Sequence, residues 1–250
     1  MRAIQRASIP SRATSWLGRQ QRAIDADLTI DVTKFWASRR RTMSGNGILA
    51  ALEKMAGFRK RCMYCGDSHA CDIEHFWPKA AYRDRAFLWR NLLWICQPCN
   101  RRKNGKFPVA PCGTALILNP VSADPWDYFV YVPETGDVMP RVELVGVARD
   151  IAEHTIDPKY TRVNIEAVSE GRRRDARTLR RAAELLLSSG VPVESQFIEA
   201  ATDLDHPELV QWFLTREGAL REPYSEIRFL FPSVVDNTML ALNYFHHGIM

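Results

Sequence analysis

The sequence predicts an α+β chain in three stretches. These are an N-terminal helical segment over residues 1–61, a cysteine-stapled unit over 62–110, and a C-terminal region over 111–250 in which short strands give way to helices. Three observations predict it. Apolar residues recur at helical spacing in the first sixty positions and again from about Tyr160. Two Cys-x-x-Cys pairs bracket a segment of short β-like pieces and many aromatics. Beyond them, prolines mark a connector followed by two strand-like runs. With 250 residues, 46% apolar and 25% charged, the chain can bury a sizeable core as one or two domains, and its composition is not that of a disordered chain, a collagen or a coiled coil.

Each element has its own signal. Ser11, after Pro10, opens a helix on which Trp16, Leu17, Ala23 and Ile24 recur near helical spacing. A second helix is expected over Asp31–Arg41. Gly45 and Gly47 break the chain, and Ile48, Leu49, Leu52, Met55 and Ala56 then form a stripe that ends at Gly57. That helix delivers the chain to the first cysteine pair. Pro108, Pro111, Pro120 and Pro125 mark the connector, after which Tyr128–Val132 and Val138–Val147 read as strands joined by a turn at Glu134–Asp137. A long helix is expected around Val163–Leu187, closing at Gly190, with Pro192, Pro207 and Pro223 at the starts of later helices.

The formal charge of +5 averages two opposed parts. Residues 1–110 carry 21 Lys and Arg against 8 Asp and Glu, a net +13, whereas 111–250 carry 13 against 21, a net −8. A basic first part suits a polyanion such as nucleic acid, although two solvated surfaces of opposite sign would have the same composition. No apolar run approaches the roughly 18 residues of a membrane span, and there is no secretory apolar core, so the expected setting is cytoplasmic with no membrane partner. The five arginines before Asp25 also match the composition of an organellar transit peptide.

Cys62-x-x-Cys65 and Cys96-x-x-Cys99 are the tight knuckles that bring pairs of thiolates to one tetrahedral Zn²⁺, and together they complete a set of four. A closed thiolate shell predicts a structural zinc whose binding energy folds the segment around it. The 30 residues between the knuckles exceed ordinary ribbon spacing, so an insert is expected. Cys71 and Cys112 are expected to be buried free thiols. The insert holds Asp72-Ile73-Glu74-His75-Phe76-Trp77-Pro78-Lys79 and Asn91-Leu92, and Asn100-Arg101-Arg102-Lys103 follows the last cysteine.

A carboxylate beside a histidine, a downstream Asn-Leu and a polar residue directly after the last cysteine, all set between two zinc knuckles, resemble the HNH endonucleases over residues 62–106. The resemblance implies a ββα-metal fold, two strands and a helix around a catalytic cation. Hydrolysis of an anionic phosphodiester needs a nucleophile made near neutral pH and a cation against the charge that builds on phosphate. His75 suits the first need as general base. Glu74 and Asn100 suit the second as hard oxygen ligands for Mg²⁺ or Mn²⁺. The resemblance gives Asn91 the bracing of the loop that orients the histidine. Asn100 stands where the family more often has histidine, and Asp72 shares the face of Glu74. Neighbours on a regular strand point to opposite faces, so Glu74 and His75 share one site only if the chain leaves strand geometry there.

Lys79, Arg101, Arg102, Lys103 and Lys106 are the expected phosphate contacts, with Arg83, Arg85 and Arg90 as further basic residues of the loop; an exposed helix or loop face is the alternative. Trp77, Trp89 and Trp94 are expected in the core of the small unit. Shorter likenesses, in the Arg-rich start ending at Ile9-Pro10 and in the segment from Asn119-Pro120 to Asp124-Pro125, are similar to the small HNH proteins of Septu-type and retron-linked anti-phage systems. They imply a DNA-cutting effector partnered with an ABC-type ATPase. The chain itself has no G-x-x-x-x-G-K-[ST] phosphate loop. The competing classes are a non-catalytic zinc module that binds nucleic acid or protein, and an HNH nuclease of restriction, mobile-element or toxin type.

Overall fold

The computed structural model describes the chain apart from residues 58, 68, 104, 190–192 and 248–250, and describes the backbone alone at 44 and 243–247. It is an α+β protein with two small antiparallel sheets among the described residues. The N-terminal segment folds into α1 (Ser11–Ala26), α2 (Val32–Arg40) and α3 (Ile48–Ala56). Asp31 caps α2 by accepting from the Thr33 and Lys34 amides, which satisfies two donors that the first helical turn leaves orphaned. Trp16 of α1 and Trp36 of α2 both meet Phe87, so these helices bury their aromatic stripes against the loop between the cysteine pairs. Arg83 in that loop donates to the carbonyls of Ile24 and Ile30, which fixes the C-terminal end of α1.

Strands β1 (Asp72–His75) and β2 (Leu92–Ile95) pair antiparallel in the register Asp72 with Ile95 through His75 with Leu92. Helix α4 (Gln97–Lys103) leaves the second knuckle and packs against β1. The four residues of β2 are all buried, as a strand covered on both faces requires. On β1 the burial alternates, with Ile73 and His75 inward and Asp72 and Glu74 partly exposed.

The C-terminal region begins with β3 (Phe129–Val132) and β4 (Asp137–Pro140). The expected second strand is therefore short. Residues from Gly146 belong to α5 (Gly146–Ile156), whose N-cap Val145 offers no side-chain cap, so no start signal stood in the sequence. Then follow α6 (Glu166–Ser189), α7 (Glu194–Thr202), α8 (Glu208–Thr215), α9 (Tyr224–Leu230) and α10 (Pro232–His247). Pro207 and Pro223 precede α8 and α9 as the spacing predicts, whereas the expected stop at Gly190 and start at Pro192 lie outside the described residues. Not all the arginines of α6 are solvated. Arg172 is fully buried and donates to the carbonyls of Gly136 and Val163, which ties α6 to the β3–β4 turn. One core cluster joins all three stretches, from Ile4 and Trp16 through Leu92 to Trp212. No described helix is long and apolar enough to cross a membrane.

Candidate functional site

The two knuckles converge. The ligand atoms of Cys62, Cys65, Cys96 and Cys99 lie within 4.8 Å of one another and all four residues are buried. Cys65 and Cys96 hold their sulfurs 3.8 Å apart, far too long for a disulfide and equal to the edge of a tetrahedron with Zn–S arms of about 2.3 Å. The four cysteines could therefore hold a zinc ion. Burial pushes the Cys62 thiol well up, so several thiolates could coexist here only around a cation. Backbone geometry prepares each turn, with Gly66 N–H donating to Cys62 O and Asn100 N–H to Cys96 O. Gly66 has φ +73°, and a Cβ there would stand 3.2 Å from the buried His206 ring, so this position needs glycine on two counts.

No local pattern marks Arg162, which comes from the segment between α5 and α6. Burial pulls its pKa down, but the sulfur charges of Cys65, Cys96 and Cys99 outweigh that and raise it. It is an outer partner for the cluster, of the kind that orients metal ligands. Cys71 and Cys112 are both exposed, which corrects the expectation of buried thiols; neither belongs to the cluster.

A second group forms where α4 crosses β1. Asn100 Nδ2 donates to Asp72 Oδ2 at 3.4 Å, and Asp72 Oδ1 accepts from Arg40 at 2.9 Å. Lys103, only 1% exposed, places its ammonium 2.6 Å from Glu74 Oε1 and also donates to the carbonyls of His75 and Phe76, at 2.5 and 2.7 Å. Three N–H bonds meet three oxygens, so the ammonium is saturated. Burial lowers the Lys103 pKa, and Glu74 opposes that shift. Lys103 thus departs from its expected role: a buried ammonium spent on Glu74 cannot reach a phosphate on the surface. The signal was in the spacing. Lys103 stands four residues after Cys99, on the same side of α4, and that side is buried.

His75 sits on the other face of β1. The strand runs regularly through it, so Glu74 and His75 are not brought to one face. The imidazole is 2% exposed, lies against Trp36 with ring centres 4.2 Å apart, and donates from Nε2 to Ala86 O at 2.9 Å. That bond makes Nδ1 the acceptor in the neutral ring. Burial, with the charges of Lys79 and Lys103 behind it, holds the His75 pKa well below the ordinary imidazole value.

Asn91 is buried and fully engaged. Its Oδ1 accepts from Trp77 N–H, and its Nδ2 donates to the carbonyls of Trp77 and Arg85, which pins both ends of the loop beyond His75. Lys79 is half-buried, its pKa lowered by burial and raised again by Glu74. Arg101, Arg102 and Lys106 are exposed, with Arg102 donating to Pro158 O. Among the described residues, only the four cysteines form a set of three or more Cys, His, Asp or Glu ligands close enough for one ion. Asp72, Glu74 and Asn100 supply two carboxylates and an amide on one side of the unit. That donor set suits Mg²⁺ or Mn²⁺, which binds through few protein oxygens and keeps the rest for water and phosphate. No protein-family model matches the chain, and no curated protein matches it in sequence.

Proposed function

We propose that this chain is a metal-dependent HNH-type endonuclease that hydrolyses DNA phosphodiester bonds. In this reading the four cysteines hold a structural zinc, and Glu74 and Asn100 take a catalytic Mg²⁺ or Mn²⁺ with Asp72 beside them. The observation that carries it is the meeting of Asn100 and Lys103 of α4 with Asp72 and Glu74 of β1, a strand whose opposite face carries a neutral histidine with Nδ1 as its acceptor. A structural zinc ribbon has no need of such an oxygen group. When bound, the cation offsets the charge that builds on phosphate and on the leaving oxygen. His75 Nδ1 accepts a proton from water; the hydroxide attacks phosphorus, and the bond to the 3′ oxygen breaks, that oxygen taking a proton from a second water, to leave a 5′ phosphate and a 3′ hydroxyl. Arg101, Arg102 and Lys106 hold the strand through its phosphates, and Lys79 adds a charge near the reacting group.

The resemblance to Septu-type and retron-linked proteins supports an anti-phage setting with an ABC-type ATPase as protein partner, met by the acidic 111–250 region. Co-expression and affinity capture of such an ATPase checks this. Nicking of supercoiled plasmid with Mg²⁺ or Mn²⁺ tests the chemistry: His75→Ala is expected to lose about 10²–10⁴-fold in rate, and undiminished cutting by that variant overturns the assignment. One observation favours a second reading, a non-catalytic zinc module. The imidazole lies under Trp36, and Lys103 already neutralises Glu74. An absence of metal-dependent cutting by the wild-type chain selects that reading.

A further inference from the structure

A cleft of about 470 Å³ opens just past His75, lined in part by Asn91, the brace of the loop. Its walls come from three distant parts of the sequence: Arg6 from the N-terminal segment, Arg85 and Arg90 from the loop between the knuckles, and Asn119 with Val121 from the connector. The Arg-rich start and the Asn119–Pro120 run, set apart in the sequence and unused by the nuclease chemistry, meet here.

The charge in the cleft is unbalanced. Three arginines line it, against the single carboxylate of Asp84, which lies 3.5 Å from Arg85 with its side chain 74% exposed. Arg6 is held from behind by neutral acceptors, the carbonyls of Leu92 at 2.6 Å and Arg90 at 3.0 Å, so its position is fixed and its charge is not neutralised. Burial lowers its pKa to about 10, and the group remains cationic at neutral pH. The Arg85 guanidinium sits over Trp77, 4.1 Å from the ring centre. Arg90 is exposed and makes no side-chain hydrogen bond or ion pair among the described residues. A fixed guanidinium, a stacked one and a free one around one cavity form a receptor for a phosphate, which accepts forked N–H pairs from arginine.

The rest of the lining mixes apolar side chains with the amides of Asn91 and Asn119 and with Ser122. Phe76, Trp77, Leu88 and Val121 supply its apolar surface, which a base can cover and a bare ion cannot use. The volume falls within the range of sites that enclose a small organic ligand. We propose that this cleft binds one nucleotide, its phosphate among Arg6, Arg85 and Arg90 and its base against Leu88 and Val121. The nucleotide is either free or one unit of a nucleic-acid strand. The strand form rests on the nuclease reading, since Trp77 follows His75 by two residues and a strand seated here passes the end of β1. The free form does not rest on it.

Calorimetric titration of the full chain with deoxyadenosine 5′-monophosphate, with pentadeoxyadenylate and with inorganic phosphate, no divalent cation added, tests the proposal. One molecule per chain of at least one nucleotide probe is expected to bind, at least tenfold more tightly than inorganic phosphate. Tighter binding of the pentamer identifies a strand site; equal binding identifies a mononucleotide site. Arg90→Ala, which removes a side chain with no partner and so spares the fold, is expected to weaken binding at least tenfold. Arg85→Ala is expected to weaken it and to change Trp fluorescence on titration. Failure of both nucleotide probes to bind, phosphate binding as tight as nucleotide binding, or unchanged binding by Arg90→Ala overturns the proposal. A chain that nicks plasmid and binds neither probe loses this inference alone. A chain that binds nucleotide and never nicks loses the nuclease reading alone.

Discussion

The cysteine cluster and the oxygen group at the β1–α4 crossing lie on the same small unit and solve opposite problems. The cluster offers four soft ligands, all buried, with no position left over once a tetrahedral ion is in place. The oxygen group offers two carboxylates and an amide, partly exposed, with an ammonium from Lys103 already seated on Glu74. Helix α4 belongs to both, since Cys99 anchors it at one site and Asn100 and Lys103 reach the other. On the proposed reading the closed soft site holds the helix still and the half-open hard site beside it exchanges water and phosphate, so that rigidity and reactivity are divided between neighbouring groups.

The division is most sharply broken by Cys96→Ser. Binding energy of a structural zinc is about 10–16 kcal/mol of folding energy, of the order of a whole domain's stability, so this variant is expected to lose its zinc and its cooperative melting transition. One zinc per chain with a wild-type melting curve would refute the four-thiolate site. The complementary variant is Glu74→Gln, expected to keep its zinc and lose about 10²-fold or more in nicking rate. Loss of zinc on that change would merge the two sites into one.

Lys103→Met sharpens the comparison further. Removing one partner of a buried ion pair costs about 3–5 kcal/mol, so the melting temperature should fall with no divalent cation present. Millimolar Mg²⁺ or Mn²⁺ should restore part of the loss, and more than it raises the wild type, because the vacated Glu74 oxygens regain a cation. An equal response of both proteins would remove the oxygen group as a cation site.

The smallest effect concerns the support of the cysteine site from outside. Asp205 bridges Arg61, next to Cys62, to Arg59 and to Arg174 of α6. Burial raises its pKa, but the three guanidiniums outweigh that and hold it below the ordinary carboxylate value. A carboxyl depressed on folding stabilises fully above its unfolded pKa, and that contribution is lost as pH falls through the folded value. Asp205→Asn should therefore lower stability near neutral pH and flatten its decline in acid, below the usual carboxylate range. Parallel acid-unfolding curves for both proteins would count against this bridge.

How much of this was legible depends on the range of the interaction. The start of α1 at Ser11, the stripe from Ile48 to Ala56 and the cysteine spacing are signals within a turn or two, and each is found where the sequence predicts it. The run Val142–Val147 misled, because alternating valines and leucine read as a strand while Val145 gives no cap to announce α5. Lys103 read as part of a basic run, although its distance from Cys99 already put it on the buried side of α4.

By itself the sequence determined the α+β class, the helices with periodic apolar faces and the four thiols that gather at one point, since caps, periodicity and knuckle turns act over a few residues. Only the tertiary structure decided that Glu74 faces Lys103 while His75 faces Trp36, that Arg162 attends the cysteines, and that Arg6, Arg85 and Arg90 surround one cleft. These meetings join residues tens of positions apart. Which partner a buried charge or ring finds is set by the packing of whole elements into one core, and no local pattern carries that information.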